Sequence, residues 1–189
     1  MNPSTPDVSF EPLALFAACV LPGLGHAARG ERARGLAIGV GVLGLFAGGV
    51  LIGGIDVVDR REDGVWFLGQ ALVGPVAIAT DYVHQSRFKV YDDRLRRYRS
   101  AYPGELRDPN SAPEPGKAVP SGQAGTRTGL QKPNVKSVGK VNELGTLFTA
   151  LAGMLNLIAI IDAGFPTRRR EIASSPTPTL KPAGAGGGA

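Results

Sequence analysis

An uncharged run of 21 residues, from 35 to 55, constrains the fold of this chain more than any other feature. At a helical rise of about 1.5 Å per residue it covers roughly 30 Å, the thickness of the hydrocarbon core of a bilayer. Eight of the 21 residues are glycine, and each glycine weakens a helix in water by up to about 1 kcal/mol. Inside a bilayer the backbone has no water to bond and must pair within the helix. The run therefore predicts a transmembrane helix and an integral membrane protein.

Three further apolar segments extend this prediction to an all-α membrane bundle of three to four glycine-rich helices. They are residues 12–28, 64–80 and 144–161. The first contains Pro22 and either spans the bilayer or turns back, because proline interrupts helical hydrogen bonding. Gly74 and Pro75 predict a kink in the second. The last either spans the bilayer or returns to the side from which it came, and we favour a span.

The segments between and around these helices differ sharply in composition. Residues 83–103 carry aromatic and apolar side chains at spacings of three and four with arginines between them, which predicts a basic amphipathic helix on the membrane surface. Residues 104–141 are rich in proline and glycine and predict a disordered linker. The full predicted order is a flexible N-terminus (1–11), a membrane region with two to three helices (12–82), the surface helix (83–103), the linker (104–141), the last membrane helix (142–165) and a disordered tail (166–189).

Small residues on the predicted membrane helices recur at intervals that let two helices approach closely. Polar residues on the last helix share one of its faces and are expected to form hydrogen bonds between helices. The predicted helix-packing residues are Gly35, Gly39, Gly44, Gly48, Gly49, Gly53, Gly145, Thr149, Gly153 and Asn156. These faces predict contact with other helices of the chain, with a second copy, or with a membrane partner protein.

Three apolar runs end in an aspartate, at Asp56, Asp81 and Asp162. Acidic side chains within a membrane are costly and often functional, so Asp81 and Asp162 are candidate residues of an ion path. A position among the lipid headgroups, beside a nearby arginine or lysine, explains them as well. His26 and His84 are the only histidines, which is too few for a typical zinc site.

No phosphate-loop, dinucleotide or nucleophile-elbow motif is present, and we expect no catalytic residue, cofactor or metal. A formal charge of +5 suits anionic lipid headgroups, and we expect no nucleic acid. The leading interpretation is a non-enzymatic helix-packing or scaffold module, multi-pass in the cell (inner) membrane. The alternatives are a small transporter or ion-conducting assembly that uses the helix-end aspartates, and a membrane enzyme in which His26 or His84 meets an acid in a cleft.

Two stretches of the chain resemble an uncharacterised family of small bacterial multi-pass membrane proteins. One is the turn Pro22-Gly23-Leu24-Gly25-His26, followed by Gly30 and Arg34-Gly35-Leu36. The other is the closing helix with Glu143-Leu144-Gly145-Thr146, Gly153, Asn156 and Asp162. More distantly, the plan is similar to the two-transmembrane-helix domain, which pairs a glycine-containing turn with a helix ending in aspartate. The resemblance implies a multi-pass membrane fold and no particular activity.

Overall fold

The computed structural model of the protein describes residues 9–102, 104–110, 116–123, 129–131 and 140–166. Its helices are α1 (Pro12–Val20), α2 (Leu24–Ala28), α3 (Arg32–Gly53), α4 (Gly64–Ala71), α5 (Pro75–Val83) and α6 (Lys140–Gly164). Its strands are β1 (Val90–Asp92), β2 (Arg97–Arg99), β3 (Glu105–Asp108) and β4 (Lys117–Pro120). Short 3-10 turns cover Ile55–Val57 and Ser121–Gln123, and a π-helical turn covers His84–Phe88. The fold is mostly helical, but the all-α prediction is wrong because the four strands form a sheet.

The two long helices, α3 and α6, lie antiparallel and form the frame of the molecule. At one end a methyl group on Gly53 would lie 3.1 Å from the Cα atom of Gly145, so the two backbones nearly touch. At the other end Arg34 Nη2 lies 2.6 Å from Asp162 Oδ2. We call these the Asp56 end, after the residue that follows α3, and the Asp162 end.

Both frame helices are long and apolar enough to cross a bilayer. Only 28% of the most apolar stretch of α3 is buried within the protein, so most of the apolar surface of this helix faces outward. Leu51 is 85% exposed and Val65, on α4, is 87% exposed. Such extensive outward-facing apolar surface is unusual in a water-soluble monomer. Length, composition and exposure together favour a membrane protein.

Helices α1 and α2 form a hairpin that enters and leaves at the Asp162 end. Before α1, the N–H of Glu11 donates to the carbonyl of Gly164, 2.9 Å away. Gly23 makes the reversal with a φ of +82°, a left-handed conformation that favours glycine. A methyl group there would also lie 1.9 Å from the Gly35 carbonyl oxygen. Of the two arrangements that the sequence leaves open for the first apolar segment, the structure has the one that turns back.

Helices α4 and α5 form a second hairpin, which enters and leaves at the Asp56 end. After α5 has reversed direction, the Asp81 side chain accepts a hydrogen bond from the Arg60 N–H at 3.1 Å. The predicted kinked span over residues 64–80 is therefore wrong. Gly74 has a φ of +104°, and Pro75 begins a new helix rather than bending the old one. Proline suits a first helical turn because it has no N–H to leave unpaired.

The turns of the two hairpins meet inside the bundle. A methyl group on Gly74, in the second turn, would lie 2.7 Å from the carbonyl oxygen of Cys19, near the end of α1. Asn156 of α6 donates a hydrogen bond to the carbonyl of Leu72, 2.8 Å away. An apolar core that includes Val73 and Phe46 fills the space around these turns. Two broken helices thus approach each other from opposite ends beside the frame helices.

The four strands form a small sheet at the Asp56 end, in the order β2-β1-β4-β3. β1 pairs antiparallel with β2 and parallel with β4, while β3 pairs antiparallel with β4. Arg107 of β3 donates to the carbonyl oxygens of Ser86 and Arg87, which fastens the sheet to the turn after α5. The sheet is therefore attached to the second hairpin.

The basic amphipathic helix predicted over residues 83–103 is wrong, because β1 and β2 occupy its centre. Asp92 is the local cause. Its carboxylate accepts the backbone N–H groups of Arg94 and Leu95, at 2.9 and 3.2 Å, and this closes a turn. Tyr91 and Tyr98, two helical turns apart in sequence, are instead direct cross-strand partners with ring centroids 5.3 Å apart. The same spacing satisfies both structures, and the turn decides between them.

The linker prediction for residues 104–141 is also wrong where the structure describes this segment. Strands β3 and β4 lie within it, and their pairing aligns Leu106 with Val119. The last helix, predicted over 142–165, agrees with α6. Residues 1–8 of the predicted flexible N-terminus and residues 167–189 of the predicted tail lie outside the described residues.

Most of the predicted helix-packing residues contact another element of this chain. Gly35 and Gly39 lie against the first hairpin, and Gly153 lies against Gly69 of α4. The contact between α3 and α6 uses Gly49, Gly53, Gly145 and Thr149. Around Gly44 and Gly48, by contrast, there is open space. The fold therefore uses the predicted glycines mainly for contacts within one chain.

Candidate functional site

One face of α6 carries a row of buried polar side chains that runs most of the length of the helix. Its members are Asn142, Thr146, Thr149 and Asn156, and none is more than 9% exposed. Thr146, Thr149 and Asn156 belong to the face that the sequence picks out, and Asn142 continues it by one helical turn. We call this set the polar row.

In the middle of the polar row, α4 contributes a further amide. Gln70 Nε2 donates to Thr149 Oγ1 at 2.9 Å and to the Val57 carbonyl at 2.8 Å. Gln70 Oε1 and Asn156 Oδ1 are buried and have no hydrogen-bond partner among the described residues. An unsatisfied buried acceptor costs about 1–3 kcal/mol, so these two oxygens are suited to accept a hydrogen bond from a water or a cation.

At the Asp56 end, the polar row meets a histidine–aspartate pair. His84 Nδ1 donates to the carbonyl of Val58, 3.2 Å away, which fixes the proton on that nitrogen. His84 Nε2 lies 3.5 Å from Asp56 Oδ1, and Asp56 Oδ2 accepts from Asn142 Nδ2 at 3.2 Å. His84 and Asp56 are both buried, so this contact lies inside the protein at the end of the polar row.

A second histidine–aspartate pair lies at the Asp162 end. His26 Nε2 lies 2.8 Å from Asp162 Oδ2, and Arg34 reaches the same oxygen. The His26 ring is fully buried, while the Asp162 side chain is 39% exposed. Asp162 also lines an open cavity of about 950 Å³, together with Arg29 and Arg32. The Asp162 carboxylate is thus partly exposed and also in contact with the buried His26 ring.

A separate ionic cluster lies close to the Asp56 end and holds the sheet against the second hairpin. Lys89 is buried and forms ion pairs with Asp59 and Glu62. Gln85 Nε2 donates to Asp59 at 2.8 Å and to Asp81 at 3.2 Å. Burial acts to raise the pKa of the Asp59 carboxyl. The hydrogen bond and charge of Lys89, with two backbone N–H groups, outweigh burial and lower that pKa below its ordinary value.

The structure separates the two aspartates predicted to form an ion path. Asp81 lies at the Asp56 end, paired with Arg60 at 3.1 Å, and Asp162 lies at the opposite end. They do not come together. Gln70, Asn142 and the two histidine–aspartate pairs were not predicted. Local signals existed for two of them, since Gln70 is a lone amide in an apolar run and Asn142 stands four residues before Thr146.

The enzyme alternative requires a histidine beside an acid in a cleft, and His26 beside Asp162 has that position. The His26 ring is fully buried, and Asp162 is the member of the pair that lines the cavity. Within the part of the chain that the structure describes, no group of three metal-ligating side chains is clustered.

The protein is mostly helical, with two helices long and apolar enough to cross a membrane, two opposed helical hairpins and a buried polar row. The chain belongs to the Family of unknown function (DUF6677), which it matches over residues 13–173. That match covers the sheet and all six helices except Pro12, the first residue of α1. No curated protein and no solved structure is significantly similar to it.

Proposed function

We propose that this protein is a multi-pass protein of the inner membrane that carries protons across the bilayer. In this proposal α3 and α6 span the bilayer and the two hairpins re-enter it from opposite faces. Broken helices that meet inside a membrane domain are typical of transporters, in which they surround the transported ion or substrate. The proposal develops the transporter alternative of the sequence analysis and replaces the scaffold as the leading interpretation.

One observation carries the proposal. The chain has two histidines, and each is buried beside an aspartate, toward opposite ends of α6. Asp56 accepts a hydrogen bond from Asn142 and so adjoins the polar row, whereas Asp162 lies six residues beyond Asn156 on another face of α6. A proton would therefore have polar side chains to follow from Asp56 as far as Asn156. Intramembrane acids and histidines commonly form such proton relays.

The interval between the two pairs needs water molecules to complete the path. Asn142, which contacts Asp56, and Asp162 are 20 residues apart, about 30 Å along a helix. Threonine hydroxyls both donate and accept, whereas amide side chains do not pass a proton on themselves. The unpartnered oxygens of Gln70 and Asn156 are the acceptors that would hold water between the hydroxyls.

Proton flux into vesicles tests the proposal directly. The full chain is reconstituted with a pH-sensitive dye inside, and a potassium gradient with valinomycin supplies the driving voltage. We expect dye acidification well above that of protein-free vesicles, and a drop of at least tenfold in Asp162→Asn and in His84→Gln. Glu143→Gln removes an exposed acid from the same helix and is the matched control. Wild-type flux equal to that of protein-free vesicles, or full flux in Asp162→Asn, rejects the proposal.

A second candidate function, self-association as a scaffold, is favoured by one separate observation. Gly44 and Gly48 have open space in front of them, unlike the other predicted helix-packing glycines, and Gly41, which was not predicted, shares their open face of α3. A second α3 could approach this face closely. Gly44→Leu with Gly48→Leu should abolish cross-linked dimers in bicelles, while Met154→Leu, on an exposed face of α6, should not. Unchanged cross-linking would remove this candidate.

A further inference from the structure

The tip of the β1–β2 hairpin is a rigid loop, which makes it a defined surface rather than a loose connection. Asp92 closes the turn by accepting two backbone N–H groups. Arg96 has a φ of +49°, a conformation that few residues other than glycine, asparagine and aspartate adopt readily. The base of the hairpin is held at the Asp56 end by Lys89, which binds Glu62, and by Arg61, which lies over the Tyr98 ring at 5.1 Å.

This tip carries three uncompensated positive charges. Arg94, Arg96 and Arg97 are exposed, and none has an ion-pair partner in the described ranges. The neighbouring basic residues, by contrast, form ion pairs. Arg99 binds both Asp92 and Glu105, and Lys117 binds Asp93. Those partners leave the three arginines as the free charge of the hairpin.

An exposed leucine stands among these arginines. Leu95, in the middle of the turn, is 52% exposed. Arginine pairs well with phosphate through two hydrogen bonds, and a surface-exposed apolar side chain beside it can insert at the level of the headgroups. Basic segments close to a transmembrane helix are attracted to anionic leaflets by the same charge.

We propose that the tip of the β1–β2 hairpin binds the headgroups of anionic phospholipids in the bilayer that α3 and α6 cross. Charge complementarity and the fastening of the hairpin to the membrane domain carry the proposal. It places the predicted headgroup contact of residues 83–103 on a turn instead of on a helix face. It rests on membrane insertion of the two long helices and is independent of proton transfer.

A probe on Leu95 tests this contact in the intact protein. Leu95→Cys on a Cys19→Ser background is labelled with an environment-sensitive fluorophore and reconstituted into neutral phosphatidylcholine vesicles or vesicles with one quarter phosphatidylglycerol. We expect a blue shift and quenching by a bilayer-embedded quencher only with phosphatidylglycerol, reversed by 0.5 M salt because salt screens exposed charges. Flotation of the vesicles reports insertion separately, so a failure of this proposal is distinguishable from a failure of the membrane assignment.

Charge-removing variants identify the arginines responsible. Each arginine near an anionic surface should strengthen the contact about fivefold, so Arg94→Gln, Arg96→Asn and Arg97→Gln together should weaken it about 100-fold. Asparagine is chosen at position 96 because it tolerates the left-handed backbone. Arg32→Gln, at the opposite end, is the control for charge loss. Arg94→Gln alone provides a milder test in case the triple variant misfolds. An equal response in neutral vesicles, or a response to an RNA oligomer but not to phosphatidylglycerol, overturns the proposal.

Discussion

His26 Nε2 lies 2.8 Å from Asp162 Oδ2, which joins the first hairpin to the last turn of α6 across 136 positions of sequence. The His26 ring is fully buried, and the Asp162 carboxylate is the hydrogen-bond partner of its Nε2 atom. Arg34 reaches the same oxygen and closes the group from α3. Three separate elements are therefore fastened at one carboxylate.

Removing that carboxylate should destabilise the fold. Asp162→Ala leaves a buried imidazole without its partner, and we expect a loss of about 1–3 kcal/mol in the free energy of unfolding. Asp162→Asn keeps an acceptor oxygen and should lose less, which separates a structural role from proton transfer. Thermal unfolding in detergent measures both, with Glu143→Ala as the control. Equal stability of Asp162→Ala and wild type would mean that the contact contributes nothing to the fold.

Glycines with and without a neighbour should respond in opposite ways. A methyl group on Gly153 would lie 1.9 Å from the Gly69 carbonyl oxygen, so Gly153→Ala forces two backbones apart. We expect it to cost about 1–3 kcal/mol. Gly48→Ala meets open space and should be neutral or stabilise by up to about 1 kcal/mol through helix propensity. Denaturant unfolding compares the two, and a Gly153→Ala protein as stable as Gly48→Ala would contradict the close approach of α4 and α6.

Acid should unfold the contact between the sheet and the second hairpin. The folded-state pKa of Asp59 lies below its unfolded value, so this carboxyl stabilises the fold at pH values above the unfolded pKa. The stabilisation is lost as pH falls through the lower, folded value. Lys89→Met removes the buried partner, raises the Asp59 pKa and should move acid unfolding to a higher pH. It should also cost about 3–5 kcal/mol near neutrality, because one charge of a buried pair is left alone.

Trp66 fluorescence between pH 2 and 6 is a suitable measurement for that comparison. The matched control is Lys117→Met, because Lys117 pairs with Asp93 at an exposed position where an ion pair contributes little. If both variants unfold at the same pH, Lys89 is not what holds the Asp59 pKa down.

Cysteine labelling should distinguish a re-entrant α4–α5 hairpin from a span. In a Cys19→Ser background, Arg61→Cys and Arg94→Cys lie before and after the hairpin and should react with an impermeant reagent from the same side of sealed vesicles. Arg32→Cys should react only from the other side. Labelling of Arg94→Cys together with Arg32→Cys would mean that the second hairpin crosses the bilayer.

The long helices were predictable from sequence because their cause is local. A continuous uncharged run specifies α3, and the polar face of Thr146, Thr149 and Asn156 specifies the buried side of α6. The reversal at Gly74 was harder to predict from the sequence, since a glycine–proline pair is compatible with a kink or a turn. Contact of this turn with Cys19, 55 positions earlier, favours the reversal, and no local pattern records it.

The strands were missed because their pattern is ambiguous. Tyr91 and Tyr98 are seven residues apart, which fits two helical turns and equally a pair of strands joined by a four-residue turn. Asp92 and Asp93 were the available signal for a turn. The histidine–aspartate pairs join residues 28 and 136 positions apart, so spacing alone does not reveal them.

The partners of α4 have a consequence for how the protein is made. Gln70 donates to Thr149, and Gly69 lies against Gly153, so α6 supplies the surface against which α4 packs. Residues 84–139 separate the hairpin from that helix. During synthesis the ribosome delivers α4 and α5 well before the surface that accepts them. The contact between α4 and α6 can therefore form only after the last helix has been made.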